Sequence, residues 1–163
     1  AGPAGKATAA AAGAATGAQV VRFPDGKEEH RFPDGRRVLL FRNGTRKEML
    51  PGGRSIVHFS NGDRKETDES TGMVVYYYAD ADTTHTTYPD GLELYEFPNG
   101  QVERHFPGGA KEIVFDDGTT KRILQNGEEH SEFPDGTKLV ERPNGERVIV
   151  APDGTVTVER PEE

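Results

Sequence analysis

The sequence predicts an all-β protein: a single open antiparallel β-meander sheet of about sixteen short strands with nine-residue repeats, solvent-exposed on both faces. Three observations carry this reading. Glycine recurs every nine residues from Gly26 to Gly62 and again from Gly91 to Gly154. The six-residue segments between turns are too short for helices and hold β-branched and aromatic residues, as in Met73-Val-Val-Tyr-Tyr-Tyr78, Lys111-Glu-Ile-Val-Phe115 and Arg147-Val-Ile-Val150. Both faces of those segments carry charges, which a dry interior would tolerate only in pairs.

Taken in chain order, residues 1–17 are Ala/Gly-rich and have little to bury, which predicts a disordered tail. The Ala7 to Ala15 stretch is broken by Gly13 and is too short to hold an isolated helix in water. The repeat domain then runs over 18–163, starting with a strand from Ala18 to Phe23. Each later unit ends in Pro-Asp-Gly, Pro-Asn-Gly, Pro-Gly-Gly, Ser-Asn-Gly, Asp-Asp-Gly or Gln-Asn-Gly. Proline presets φ at the first corner, Asp or Asn suits the second, and Gly takes the left-handed position that closes a three-residue hairpin loop. The irregular glycine spacing around Gly72 is absorbed if the loops Glu69 to Gly72 and Ala79 to Asp82 each hold one extra residue. The last strand spans Thr155 to Arg160, followed by Pro161, Glu162 and Glu163.

Composition narrows the function. Leu, Ile, Val and Phe make up about a fifth of the chain and the formal net charge is −8, a combination that by itself predicts disorder and that only the repeat overrides. The acidic balance argues against nucleic acid as a partner. No apolar run approaches the roughly 18 residues that cross a bilayer, so no membrane partner is expected. Without cysteine there are no disulfides and no thiolate metal sites, and a cytoplasmic address is permitted. No nucleophile elbow or phosphate loop occurs, and a sheet wet on both sides cannot desolvate a reaction, so no enzyme and no cofactor are expected.

Running the hairpin register through the chain sorts side chains onto two faces. Face A receives Phe23, Phe41, Phe59, Tyr76, Tyr78, Tyr95, Phe97, Phe115 and Phe133, and face B only Phe32, Tyr77, Tyr88 and Phe106. The aromatics that end alternate strands lie two strand spacings apart, about 9.6 Å. A polyproline II helix repeats every three residues, about 9.3 Å. A peptide with proline at every third position, laid across the strands, therefore meets one aromatic per turn. The alternative is that each Phe covers the proline of its own turn. For the central cluster of Tyr76, Tyr78, Tyr95 and Phe97 the surface reading is the stronger, since contiguous exposed apolar patches mark interfaces. Glu103 on the same face is a hydrogen-bond acceptor for a peptide, or else a cross-strand partner of a Lys or Arg. His85 and His105 share face A but lie two strands apart, too far for one zinc.

The segment Val75-Tyr-Tyr-Tyr-Ala-Asp-Ala-Asp-Thr-Thr-His-Thr-Thr-Tyr-Pro-Asp-Gly-Leu-Glu93, set among Phe-Pro-Asp-Gly repeats, resembles the C-terminal T-complex-protein (TCP, G-box) domain family of centriole-assembly proteins over roughly residues 20–160. The resemblance implies a free-standing antiparallel sheet and a scaffold role at the centriole and centrosome. The implied partner is a proline-rich segment of a STIL-type centriolar protein, and the family's peptide contacts resemble Phe59, Tyr76, Phe97 and Glu103. The competing class is a secreted or surface β-repeat protein binding calcium or carbohydrate. The two uncovered sheet edges also predict an end-to-end homo-oligomer. A proline at Val21 blocks that association provided the Val21 N–H faces the open edge.

Overall fold

The computed structural model describes residues 17–162; residues 1–16, which hold nearly all of the expected tail, lie outside them. The described residues form sixteen strands: β1 (Gln19–Arg22), β2 (Glu28–Arg31), β3 (Arg37–Leu40), β4 (Arg46–Leu50), β5 (Arg54–His58), β6 (Arg64–Asp68), β7 (Met73–Tyr78), β8 (Thr83–Thr87), β9 (Glu93–Glu96), β10 (Val102–His105), β11 (Lys111–Val114), β12 (Thr120–Ile123), β13 (Glu129–Glu132), β14 (Lys138–Glu141), β15 (Arg147–Val150) and β16 (Val156–Glu159). They follow chain order in one open sheet, as expected. Two compact units divide it, the first ending at Asp80 with β1–β7 and the second starting at Ala81 with β8–β16.

The repeated turn has a repeated chemistry. After β1, the Gly26 N–H donates to the Phe23 carbonyl at 3.0 Å and the Phe23 N–H donates to the Lys27 carbonyl at 2.9 Å. The carboxylate of Asp25 accepts the Lys27 N–H at 3.0 Å. The same side-chain acceptor recurs from turn to turn, for instance Asn99 to Gln101 at 3.0 Å and Asp135 to Thr137 at 2.8 Å. Asp and Asn are thus selected at the second corner because an amide or carboxylate oxygen satisfies the donor that the turn leaves over. The closing glycines of the three-residue turns sit at φ of 84–95°, which a Cβ would strain. The two four-residue loops appear where expected, and Asp82, at φ 44°, takes the left-handed place in the second.

Turns on the same edge also touch one another. A methyl placed on Gly91 would come within 3.1 Å of Pro107, and one on Gly127 within 3.4 Å of Pro143. The turn proline therefore sits against the bare glycine two turns earlier.

Three of the turn aspartates carry a pH signature. Asp117, Asp135 and Asp153 each accept the backbone N–H and the hydroxyl of the following threonine, which holds their carboxyls below the usual range near 3.8. A carboxyl whose folded value is lowered stabilises the fold above its unfolded value, and the contribution vanishes as pH falls through the folded value. Melting temperature should therefore fall below about pH 4, and part of that fall should disappear in the triple variant Asp117→Asn, Asp135→Asn, Asp153→Asn, whose amides keep the acceptor without the charge. Identical acid-melting profiles by circular dichroism would refute the assignment.

Little of the sheet is dry. Among the described residues, Val38 and Leu40 are the buried hydrophobics, each at 6% exposure. Many charges are matched locally, as between Arg54 and Glu66 at 2.9 Å and Arg104 and Glu112 at 3.3 Å. Glu29, exposed by only 3%, is clasped by Arg31 at 3.0 Å and by Arg37. Hydrogen bonding from Arg31, and then from Arg37, outweighs burial and keeps its carboxyl below the ordinary value. Such a carboxylate is tolerated only because both oxygens are used.

The ladder corrects one expectation. The Phe23 N–H points to β2, where it reaches Lys27, and N–H directions alternate along a strand. Val21 therefore also points inward, toward its partner Glu29, while Val20 and Arg22 present their N–H groups to the open edge. An edge-blocking proline belongs at Val20 or Arg22, and Val21→Pro would break the first hairpin instead.

Candidate functional site: two aromatic clusters

In the first unit the register runs Leu39, Lys47, Val57, Lys65, Tyr76 on one face, and Phe41, Phe59 and Tyr78, two residues further along their strands, share it. Phe59 and Tyr76 have ring centroids 5.9 Å apart, and Tyr76 and Tyr78 lie 4.4 Å apart with planes tilted by 41°. Tyr78 is 41% exposed and the other two are half-buried. Such contacts hold the rings together and add about 0.5–1.5 kcal/mol per pair.

Asp63 anchors this cluster. One of its oxygens accepts the Tyr76 hydroxyl at 2.9 Å and the other accepts the Ala79 N–H at 2.8 Å. The Ala79 bond is the main cause of a lowered Asp63 carboxyl, and the Asp63 bond, with some burial, raises the Tyr76 phenol. Sequence reasoning missed this residue. Its signal was present, since Asp63 is the one aspartate that directly follows a glycine.

In the second unit the register is His85, Tyr95, Glu103, Ile113, Lys121. The His85 imidazole stacks on Tyr95 at 4.3 Å with planes 5° apart, and His105 approaches from β10 at 4.8 Å. Phe97 follows in the same row, 6.4 Å from Tyr95. Tyr95 is thus held between imidazoles, whereas the ring neighbour of Phe97 among the described residues is Tyr95. The two histidines predicted to be too distant for zinc are packing partners of one tyrosine. Each also meets a carboxylate, His85 with Glu93 at 3.3 Å and His105 with Glu103 at 3.2 Å.

Glu103 sits between Tyr95 and Ile113 across the ladder. It accepts the Gln101 amide at 3.1 Å on one oxygen and faces His105 with the other. The Lys or Arg partner considered for it is not found among the described residues, so its neighbours orient it without a permanent cation. No group of three His, Asp or Glu side chains gathers in metal-ligating geometry among the described residues. The turn aspartates are engaged by backbone N–H groups.

Each cluster is a row of rings on one face of its unit, with polar side chains set beside it. An open β-repeat module that offers side chains from a surface is the class that this architecture defines. A family model, T-complex protein 10 C-terminus, matches residues 15–49, 89–115 and 107–140. The chain belongs to that family. It is 49% identical over 86 residues to mouse centrosomal P4.1-associated protein, a match that covers 53% of this chain and 6% of that protein. Among solved structures it is similar to the TCP10 domain of Danio rerio CPAP in complex with a Danio rerio STIL peptide, at 47% identity and a TM-score of 0.74, covering 82% of this chain and 74% of that one. It is also similar to the SAS-4 (dCPAP) TCP domain of Drosophila melanogaster in complex with a proline-rich motif of Ana2 (dSTIL), at 32% identity and a TM-score of 0.65, covering 88% of this chain and 90% of that one.

Proposed function

We propose that this chain is a non-enzymatic centriole-assembly scaffold module, acting at the cytoplasmic centrosome, that binds a proline-rich segment of a STIL-type protein through its aromatic clusters. The observation that carries this reading is the pair of ring rows in a domain whose solved relatives hold STIL and Ana2 peptides. Phe59, Tyr76 and Tyr78 form one row of anchors and Tyr95 and Phe97 another, with Glu103 as the acceptor beside the second. Tyr95 is stacked on the His85 ring and meets the His105 ring at a tilt of 43°, so it is the more firmly positioned anchor of its row, with Phe97 beside it. The Phe59 and Tyr76 rings lean to within 5.9 Å of each other across two strand spacings, and Tyr95 and Phe97 lie 6.4 Å apart, so each row offers a continuous apolar surface to the prolines in place of one ring per polyproline II turn of about 9.3 Å.

Residue-by-residue NMR of the labelled chain titrated with a synthetic proline-rich peptide tests it. Shifts should concentrate at Phe59, Tyr76, Tyr78, Tyr95, Phe97 and Glu103 and spare Tyr77, Tyr88 and Phe106 on the opposite faces. Shifts confined to the opposite faces would overturn it.

A second reading, end-to-end self-association, is favoured by the terminal strands. Val20 is 39% exposed on β1, and Val156 and Val158 are 60% and 50% exposed on β16. Unpaired backbone groups beside exposed valines are a template for another chain. The net charge of −8 opposes association, so average mass by light scattering should rise with protein concentration and with salt as repulsion is screened. Val20→Pro should suppress the rise without altering peptide affinity. A mass that stays monomeric at high concentration and high salt removes this reading.

A further inference from the structure

On the face that carries the Phe59 row, the cations of the first unit fall into two groups. Arg31 and Arg37 are committed to Glu29, and Lys27 lies over the Phe23 ring at 4.3 Å. Lys47 and Lys65 have no carboxylate partner among the described residues. Their cross-strand neighbours are apolar or aromatic: Leu39 and Val57 for Lys47, Val57 and Tyr76 for Lys65. The nearest acid along the same strand edge, Asp63, is held by the Tyr76 hydroxyl and the Ala79 N–H. Lys65 is exposed and Lys47 half-buried. In a chain of net charge −8, whose other face pairs its arginines with glutamates, Lys47 and Lys65 stand beside the ring row as two ammonium groups without an ion-pair partner among the described residues, and the Asp63 carboxylate, held by neutral donors, lowers their joint positive charge without cancelling it.

From this we infer that Lys47 and Lys65 are specificity residues for an acidic ligand segment: the part of the proline-rich peptide that crosses β4–β6 carries carboxylate side chains that pair with them. The inference rests on the peptide-binding reading above. The two lysines flank Val57 on alternate strands, about 9.6 Å apart along the sheet, so carboxylates three residues apart on a polyproline II helix have matching spacing. Such pairs at a rim steer encounter and reject wrong partners more than they add affinity.

Three synthetic peptides test it, identical in their prolines and carrying Glu, Gln or Lys at two positions three residues apart, titrated by calorimetry into the whole chain. The Glu peptide should bind about fivefold more tightly than the Gln peptide, with the Lys peptide weakest, and the spread should narrow at 1 M salt, where the screening length is about 3 Å. Lys47→Glu with Lys65→Glu should invert the order, and Lys47→Gln with Lys65→Gln, a milder change at two ladder positions, should abolish it. Equal affinity of all three peptides for the natural chain, or an order unchanged in the Gln variant, overturns the inference. Phe59→Ala separates the two ideas, since it should weaken all three peptides equally whether or not charge matters. Failure of every peptide to bind overturns the peptide reading and the inference with it.

Discussion

Phe97→Ala should weaken binding of a proline-rich peptide about thirtyfold, because a central aromatic anchor typically contributes about 2 kcal/mol and each 1.4 kcal/mol is tenfold in affinity. The geometry separates this loss from damage to the fold. Among the described residues Phe97 has one ring neighbour, Tyr95, and its backbone N–H and carbonyl, which hold the turn through Gln101 and Gly100, are unaffected by truncation. Tyr77→Ala, on the opposite face of the first unit, is the control and should bind as the natural chain does. Calorimetric titration of both variants, with melting temperature as a check, decides the matter. An unchanged affinity in folded Phe97→Ala removes Phe97 from the site.

Glu103→Gln should lower peptide affinity at least tenfold while leaving melting temperature nearly unchanged, since a charge-assisted hydrogen bond to a ligand is worth about 1.5–3 kcal/mol. The folded contribution of Glu103 is small, because its partners are a neutral amide and an imidazole on its own strand. A glutamine keeps the shape and an acceptor oxygen and removes the charge. Comparable losses in stability and affinity would instead assign Glu103 a structural part in the ladder, and the His105 contact would be its reason.

The turns and the faces were legible in the sequence because the same nine residues solve the same problem repeatedly. Once Gly26 closes a turn, side-chain alternation places Phe41 and Phe59 on one face, and allowing one extra residue in the Glu69 to Gly72 loop brings Tyr76 to the same face. What lay hidden depended on directions finer than a face. Whether the Val21 N–H points in or out is set by the hydrogen-bond phase of its hairpin, which face assignment ignores. That His85 and His105 close on Tyr95 follows from ring orientation, and parity showed only that the three share a side. Glu29 read as one more charge on a wet face, yet two arginines from neighbouring positions cover it, because long side chains lay their stems across the sheet. Asp63 stands out in the sequence only by following a glycine, and its role appears when the second turn on, which touches Gly62 as other same-edge turns touch, brings the Ala79 N–H to its carboxylate.

The thinness of the dry interior has a thermal consequence. The heat capacity of unfolding comes mainly from apolar surface newly exposed to water, and here Val38 and Leu40 are the hydrophobic side chains fully withdrawn from it among the described residues. The increment per residue must therefore fall below the roughly 12–15 cal/mol/K of ordinary domains. A small increment flattens the curve of stability against temperature, so enthalpy and entropy of unfolding stay nearly constant across the physiological range. A sheet held together by ladder bonds and turns trades height of stability for breadth.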